Sequence, residues 1–284
     1  MSSITLWNVI AEEKNWHIQQ ITLDDSIKSL DEISALLPSG AYTTFRTYHH
    51  NQVLSLVEHF FRLEETTRLA GKPVKIYPSS LRSALRAIID QLSGGDFRFR
   101  ITIDLERNPG VIYVSTELLK ITPQSLYENG GAALTCRLER DNPKAKMTRQ
   151  LETATNIRRQ FADEPVDEII TLSGAGLILE GLSSNFFAVK NQTIWTAEDQ
   201  VLSGTIRKVA LDLAQKAGYE IIRQGIPFSD LAQIDEAFIT STSRSILPIV
   251  EIDHHPVGSG KPGPVTKKLI FDFNEMLEKE LEII

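Results

Sequence analysis

Residues 168–196 read EIITLSGAGLILEGLSSNFFAVKNQTIWT. In this stretch the runs 168–172 and 177–180 flank Ser-Gly-Ala-Gly, and the runs 186–189 and 193–196 flank Lys-Asn-Gln, so each pair reads as a hairpin. Strands packed this densely, interrupted by few helices, predict a mixed sheet or barrel.

Working outward, Gly204-Thr205 opens a helix with Ile206, Val209, Ala210, Leu213, Ala214 and Ala217 on one face and Gly218 as its stop. Strands are expected at 219–223 and 236–240, and a C-terminal helix at 266–280. Upstream, a strand at 132–138 and an irregular 140–144 precede a helix over 147–161, whose buried face would be Met147, Leu151, Ala154, Ile157 and Phe161. Residues 123–131, PQSLYENGG, form a polar, Pro- and Gly-containing stretch of the kind that joins domains. Before it come strands at 4–7 and 42–48, a helix over 53–70, a helix over 79–92, and strands at 97–105 and 110–115. In the first of those helices Val53, Val57, Phe60 and Leu63 form the apolar stripe, and Arg62 lies off it. The expected organisation is a first domain at 1–122, a linker at 123–131 and a second domain at 132–284.

The chain has 284 residues, 42% hydrophobic and 24% charged, and can bury a large core. A net charge of −7 without any Lys/Arg-rich block argues against nucleic acid or an anionic membrane as partner. One cysteine, Cys136, excludes an internal disulfide and a Cys-based metal cluster. The opening MSSITLWNVIAEEKN has no basic segment followed by an apolar one, and no eighteen apolar residues run together, so a soluble cytoplasmic protein is expected. The run Gly258-Ser-Gly-Lys261 fails as a phosphate loop because Pro262 follows the lysine and His255 sits where the first glycine belongs. The adjacent pairs His49-His50 and His254-His255 lack metal-ligand spacing, so no metal site is expected, and no Gly-x-Ser-x-Gly anchors hydrolase chemistry.

Several motifs fall in order along the chain: His59-Phe-Phe-Arg62-Leu63, Arg140-Asp-Asn-Pro143-Lys-Ala-Lys146, Glu180-Gly-Leu-Ser-Ser-Asn185-Phe-Phe, Leu202-Ser-Gly-Thr-Ile-Arg207, and Asp235-Glu-Ala-Phe-Ile-Thr-Ser-Thr242 with Pro248. Together with Tyr42-Thr-Thr-Phe-Arg and the segment from Val257 to Thr266, they resemble the class IV aminotransferases, the fold-type IV pyridoxal phosphate enzymes. That family includes branched-chain aminotransferases, D-amino-acid aminotransferases and aminodeoxychorismate lyase. The resemblance implies a mixed α/β (α+β) fold: a small N-terminal α/β sandwich domain and a larger C-terminal α/β pseudo-barrel domain, with the cofactor between them in a homodimer.

Pyridoxal phosphate asks for an amine, a carboxylate against its pyridine nitrogen and a phosphate cradle. By resemblance, Lys146 is the Schiff-base lysine, with Lys144 as the competing candidate. Glu180 would keep the pyridine nitrogen protonated, so that the ring can take up electrons. Arg62 could hold the phosphate through two parallel hydrogen bonds. Gly204, Thr205 and Ile206 would offer helix N-terminal N–H groups to it, and the Thr242 hydroxyl would complete the cradle.

The expected activity is transfer of an amino group between an amino acid, branched-chain-like or other, and a 2-oxo acid. Candidate substrate contacts are Tyr42, Thr44, Ser243 and Arg244. The chain departs from the family in lacking Gly-Asp-Gly before Tyr42 and in reading Thr205-Ile206 where the family has Ile-Thr. Leu105-Glu-Arg-Asn-Pro-Gly also lacks the Arg-x-His pair with which D-amino-acid aminotransferases hold the substrate carboxylate. Thr43-Thr44 and the run from Lys146 look somewhat like aminodeoxychorismate lyase, which eliminates pyruvate to give 4-aminobenzoate, whereas residues 257–266 look more like branched-chain aminotransferases. The alternatives are therefore that lyase activity, or a non-catalytic protein that keeps the fold.

Overall fold

The computed structural model describes residues 4–284; residues 1–3, with which the expected first domain and the quoted N-terminal stretch begin, lie outside the described residues. The chain divides into two compact units. The first takes the chain up to Lys120 and adds Ala145–Thr155 and Glu280–Ile284; the second holds Ile121–Lys144 and Asn156–Lys279.

The first unit runs β1 (Ile4–Ala11), β2 (Trp16–Ile21), α1 (Leu30–Leu36), β3 (Gly40–Arg46), β4 (Gln52–Leu54), α2 (Leu56–Leu69), α3 (Pro78–Ile89), β5 (Phe97–Asp104) and β6 (Ile112–Leu118). Its five-stranded sheet has the order β2-β1-β6-β5-β3, with every pairing antiparallel. Side chains alternate across each strand, so the sheet has two apolar faces to cover. On one face Trp7, Ala41, Phe45, Phe99 and Ile101 pack with Phe60 and Leu63 of α2 and Leu81 and Leu85 of α3. Phe45 and Phe99, paired across β3 and β5, stack with centroids 5.1 Å apart. On the other face Ile4 and Leu6 meet Leu30 and Ile33 of α1.

The second unit begins with α4 (Gln124–Asn129) and β7 (Gly131–Arg137); α5 (Arg149–Gln160) then carries the chain across the unit boundary. It continues through β8 (Glu168–Leu172), β9 (Ile178–Gly181), β10 (Asn185–Lys190), β11 (Thr193–Trp195), α6 (Thr205–Lys216), β12 (Ile221–Ile222), a 3-10 turn (Phe228–Gln233), β13 (Glu236–Ser241), β14 (Ser245–Ile252), β15 (His255–Pro256) and α7 (Pro264–Glu280). The sheet order β12-β11-β10-β13-β14-β7-β8-β9 is closed by a further pairing of β9 with β10, so that β10, β13, β14, β7, β8 and β9 form a barrel. β7 is parallel to β8 and to β14, and the remaining barrel pairs are antiparallel. The closing contact is the register pair Asn185↔Glu180. Ile170, Phe186, Ile239, Leu247 and Ile249 lie in the core of this unit. The last strand, β16 (Leu281–Ile283), returns to pair with β4.

Both hairpins of the 168–196 stretch form, and their strands supply three walls of the barrel. Other expectations are corrected. The helix expected from Met147 starts at Arg149, because Lys146 to Thr148 runs extended beside β3: Tyr42 N–H donates to the Lys146 carbonyl at 2.9 Å and Thr148 N–H to the Gly40 carbonyl at 2.9 Å. Of its expected buried face only Ala154 is buried; Met147, Leu151, Ile157 and Phe161 are half-exposed. Ala217, just past the end of α6, is exposed and Val209 half-buried, while Leu211 is buried. The helix expected from residue 53 begins at Leu56, since Val53 belongs to β4. A short helix, α4, forms inside the 123–131 stretch. No helix among the described residues is long and apolar enough to cross a membrane.

Candidate active site

In the first unit, β3 sends Thr43 toward α2 while Tyr42 and Thr44, one residue to either side, take the opposite face. Arg62 and His59 lie one turn apart on α2. The Arg62 Nη2 group donates to Thr43 Oγ1 at 2.8 Å and lies 2.8 Å from His59 Nδ1. Thr43 Oγ1 is itself 2.8 Å from that nitrogen. A guanidinium can only donate, so Nδ1 must be the acceptor and the imidazole proton sits on Nε2. Burial, with the Arg62 and Lys146 charges adding to it, holds the His59 imidazole well below its usual value. Burial also brings the Arg62 guanidinium down to about 10, against the opposing pull of Tyr42 and Glu58, and leaves it charged at neutral pH. Neutral His59 and Thr43 thus fix the fork of a cationic Arg62.

Lys146 is presented by the extended run beside β3. Its Nζ lies 4.8 Å from the centroid of the Tyr42 ring, and its backbone N–H donates to Thr66 Oγ1 at 3.3 Å. Arg100 approaches the same ring at 5.3 Å and donates to Thr44 Oγ1 at 3.4 Å. The competing Lys144 is exposed and pairs with Asp199 at 3.7 Å.

In the second unit Glu180 is the penultimate residue of β9 and is buried. Its Oε1 accepts from Arg140 Nη1 at 2.7 Å; its Oε2 accepts from Asn185 Nδ2 at 3.0 Å and from the Leu202 N–H at 3.1 Å. Asn185 Nδ2 also donates to the Leu202 carbonyl at 2.7 Å, which ties the closing pair of the barrel to the segment leading into α6. Gly204 opens α6 with no side-chain cap, and a Cβ placed there would stand 2.2 Å from Asn185 Oδ1. A side chain there would need the Asn185 amide to move.

Thr240 lies opposite Asn185 in the β10–β13 register, so both side chains share a face of the sheet. Its Oγ1 is buried and has no hydrogen-bond partner among the described residues. Thr242 follows two residues later, in the turn Thr242–Ser243–Arg244 between β13 and β14. Arg244 is engaged with a buried carboxylate of the chain itself: Nη2 is 2.5 Å from Glu168 Oε2, and Nη1 donates to the Asp167 carbonyl at 2.8 Å.

The structure thus brings Lys146 to Tyr42, Arg62 to Thr43 and His59, and Glu180 to Asn185, Leu202 and Arg140. Sequence reasoning assigned no role to Thr43, His59, Thr240 or Asn185. All four stood inside quoted motifs, Asn185 at the end of Glu-x-x-x-x-Asn, but those motifs did not mark what Thr43, His59 or Thr240 would touch. In the second unit, an orphaned buried hydroxyl, a helix start with little room for a side chain and a fixed buried carboxylate are features that an anionic, ring-bearing cofactor fits; in the first, the guanidinium held by a neutral imidazole is a feature that fits an anionic group.

The family model described as amino-transferase class IV matches residues 40–252. Among relatives, a D-alanine aminotransferase of Bacillus licheniformis is 28% identical over 247 residues, covering 81% of this chain and 84% of the relative. A putative branched-chain-amino-acid aminotransferase of Methanocaldococcus jannaschii is 33% identical over 165 residues, covering 55% of this chain and 57% of the relative. Of solved structures, a putative branched-chain amino acid aminotransferase of Thermotoga maritima has a TM-score of 0.78 at 23% identity, covering 97% of this chain and 96% of the other. The T.th. branched-chain amino acid aminotransferase with pyridoxamine 5'-phosphate has a TM-score of 0.79 at 20% identity, covering 98% of both chains.

Proposed function

Since this chain belongs to the class IV aminotransferases, a family of pyridoxal-phosphate-dependent enzymes, we propose that it moves an amino group between a branched-chain-like L-amino acid and a 2-oxo acid. The observation that carries this reading is the buried Glu180 carboxylate, held from two sides beside a helix start that packs against Asn185.

When bound, the cofactor supplies an electron sink for the charge left as the substrate's Cα–H bond breaks. Lys146 Nζ would hold the cofactor covalently and, once released, carry the Cα proton. The Tyr42 ring beside that amine restricts where it can swing. Glu180 would accept the hydrogen bond of a protonated pyridine nitrogen, with Asn185 and Leu202 keeping its Oε2 in place. Arg62, the Gly204–Ile206 helix start, Thr242 and the orphaned Thr240 hydroxyl would hold the phosphate.

The substrate reading rests on the loop after β5. Asp104 accepts the N–H groups of Glu106, Arg107 and Asn108 at 2.7, 2.9 and 2.8 Å, so the loop folds onto its own start, and it carries no Arg-x-His pair. That supports an L-amino acid over D-alanine.

Borohydride reduction of the cofactor-loaded protein with peptide mapping tests the site, with the adduct expected on Lys146. An adduct on Lys144 would move the lysine, and a Lys146→Ala protein that still transaminates would overturn the assignment. L-leucine, D-alanine and aminodeoxychorismate, each assayed with and without a 2-oxo acid, test the substrate. Pyruvate and 4-aminobenzoate released without an oxo acid would replace the transaminase reading with the lyase.

A further inference from the structure

Glu168, at the start of β8, is a buried carboxylate that the proposed chemistry does not use. Three side chains converge on its Oε2: Arg244 Nη2 at 2.5 Å, Ser184 Oγ at 2.8 Å and Ser183 Oγ at 2.9 Å. Its Oε1 takes the Ile169 N–H at 3.0 Å. The two serines belong to the turn between Glu180 and Asn185, and Arg244 follows Thr242 in the turn between β13 and β14. Arg244 is fixed as well from behind. Its Nη2 donates to Ser183 Oγ at 3.1 Å, its N–H to Ser241 Oγ at 3.3 Å, and its carbonyl accepts the Tyr127 hydroxyl at 3.0 Å. A Cβ on Gly181 would stand 2.8 Å from Glu168 Cγ, so the turn lies directly on this carboxylate.

We propose that Glu168 and Arg244 are a pair of positioning residues that lock the turn presenting Glu180 and Asn185 to the turn presenting Thr242, and so set the distance between the ring-nitrogen and phosphate contacts of the cofactor. This rests on the cofactor reading given above. It also reassigns Arg244, whose guanidinium is spent on Glu168 and is not offered to a substrate carboxylate. Burial alone would push the Glu168 carboxyl up; the Arg244 charge and the hydrogen bonds of Arg244 and Ser184 outweigh it and hold the group below the usual carboxylate range.

A pair that served folding alone would behave differently from one that sets a spacing. Removing either charge leaves the other buried and uncompensated, which costs stability as well as position. Removing both relieves the charge but leaves the two turns untied. The experiment therefore compares the full-length wild type with Glu168→Gln, Arg244→Met and the double variant. Each is titrated with pyridoxal 5'-phosphate, followed by tryptophan fluorescence and by the ring-nitrogen 15N shift of labelled cofactor, and each is melted. Both single variants are expected to lose affinity by roughly tenfold or more, the scale on which supporting partners act on a bound group. The double variant should regain the wild-type Tm while keeping the weakened affinity and the altered 15N shift. Recovery of affinity, 15N shift and Tm together would overturn the proposal, as would single variants that bind like wild type. A wild type that forms no lysine-bound adduct would instead sink the cofactor reading itself, and this inference with it.

Discussion

At the residue scale, His59 offers a pH-dependent test. Its folded-state value lies below the ordinary 6.5, so the unfolded chain binds the proton more readily. The sign follows directly: its contribution is fully present above about pH 6.5 and is lost as pH falls toward the folded value, by at most about 1.4 kcal/mol per pH unit. Urea midpoints taken from about pH 7 to 5.5 should therefore fall less steeply for His59→Gln than for the wild type, and equal slopes would refute a buried neutral imidazole. Asn185→Leu removes a donor from Glu180 and from the Leu202 carbonyl at once. It should cost about 1–3 kcal/mol in urea unfolding and weaken the cofactor, and a variant that keeps both stability and affinity would remove Asn185 from the site. Lys146 and Glu180 could be proposed from the sequence because an amine and a carboxylate carry their chemistry in their type and their motif. Thr43, His59 and Thr240 could not. A threonine becomes a guanidinium support or an orphaned hydroxyl only through what long-range pairing brings opposite it.

At the element scale, the hairpins of the 168–196 stretch were legible because their turn residues punctuate alternating runs. β14 was not: Pro248 lies inside it, and proline argues against a strand when read locally. The start of α5 was misjudged for a related reason, since Met147 and Thr148 have helical neighbours in sequence but an extended partner, β3, in space. The turn between β10 and β11 places Asn191 at φ 52° and Gln192 at φ 63°, the left-handed region that two-residue hairpin turns require. Glycine suits the second position better than glutamine, so Gln192→Gly is expected to stabilise by roughly 0.5–1 kcal/mol, and a lowered urea midpoint would contradict that geometry. The opposite holds at Gly204. Gly204→Ala forces a methyl against Asn185 Oδ1 at 2.2 Å and should destabilise by about 1–3 kcal/mol while weakening the cofactor. Wild-type melting and binding would show that the helix start has room to spare.

At the scale of the whole molecule, the mixed α/β class was legible from the spacing of strand and helix signals, and the resemblance carried the barrel. Closure itself was not visible locally, because β7 pairs in parallel with β8 and β14 and neither partnership leaves a mark on neighbouring residues. The chain also re-enters its first unit twice, at Ala145–Thr155 and Glu280–Ile284. A fragment ending at Lys120 would lack β16 against β4, the Glu282 carboxylate on the Leu56 N–H, and the Met147 bridge to Ala41. Such a fragment should show far-UV circular dichroism without a fixed near-UV signal; a sharp, cooperative melt would make the first unit self-sufficient.

The barrel is completed by one register pair, Asn185↔Glu180. Four residues, Gly181 to Ser184, bridge that pair, with the Gly181 N–H on the Ser184 carbonyl at 2.8 Å. Strand side chains repeat every second position, so one inserted residue here would turn Glu180 or Asn185 to the other side of the wall and leave the ring of strands open. The same insertion beside the exposed Asn191 would only lengthen a loop tip. The four-residue gap in Glu-x-x-x-x-Asn is therefore a ruler rather than a sequence preference: its length is set by the turn that must bring Asn185 back opposite Glu180.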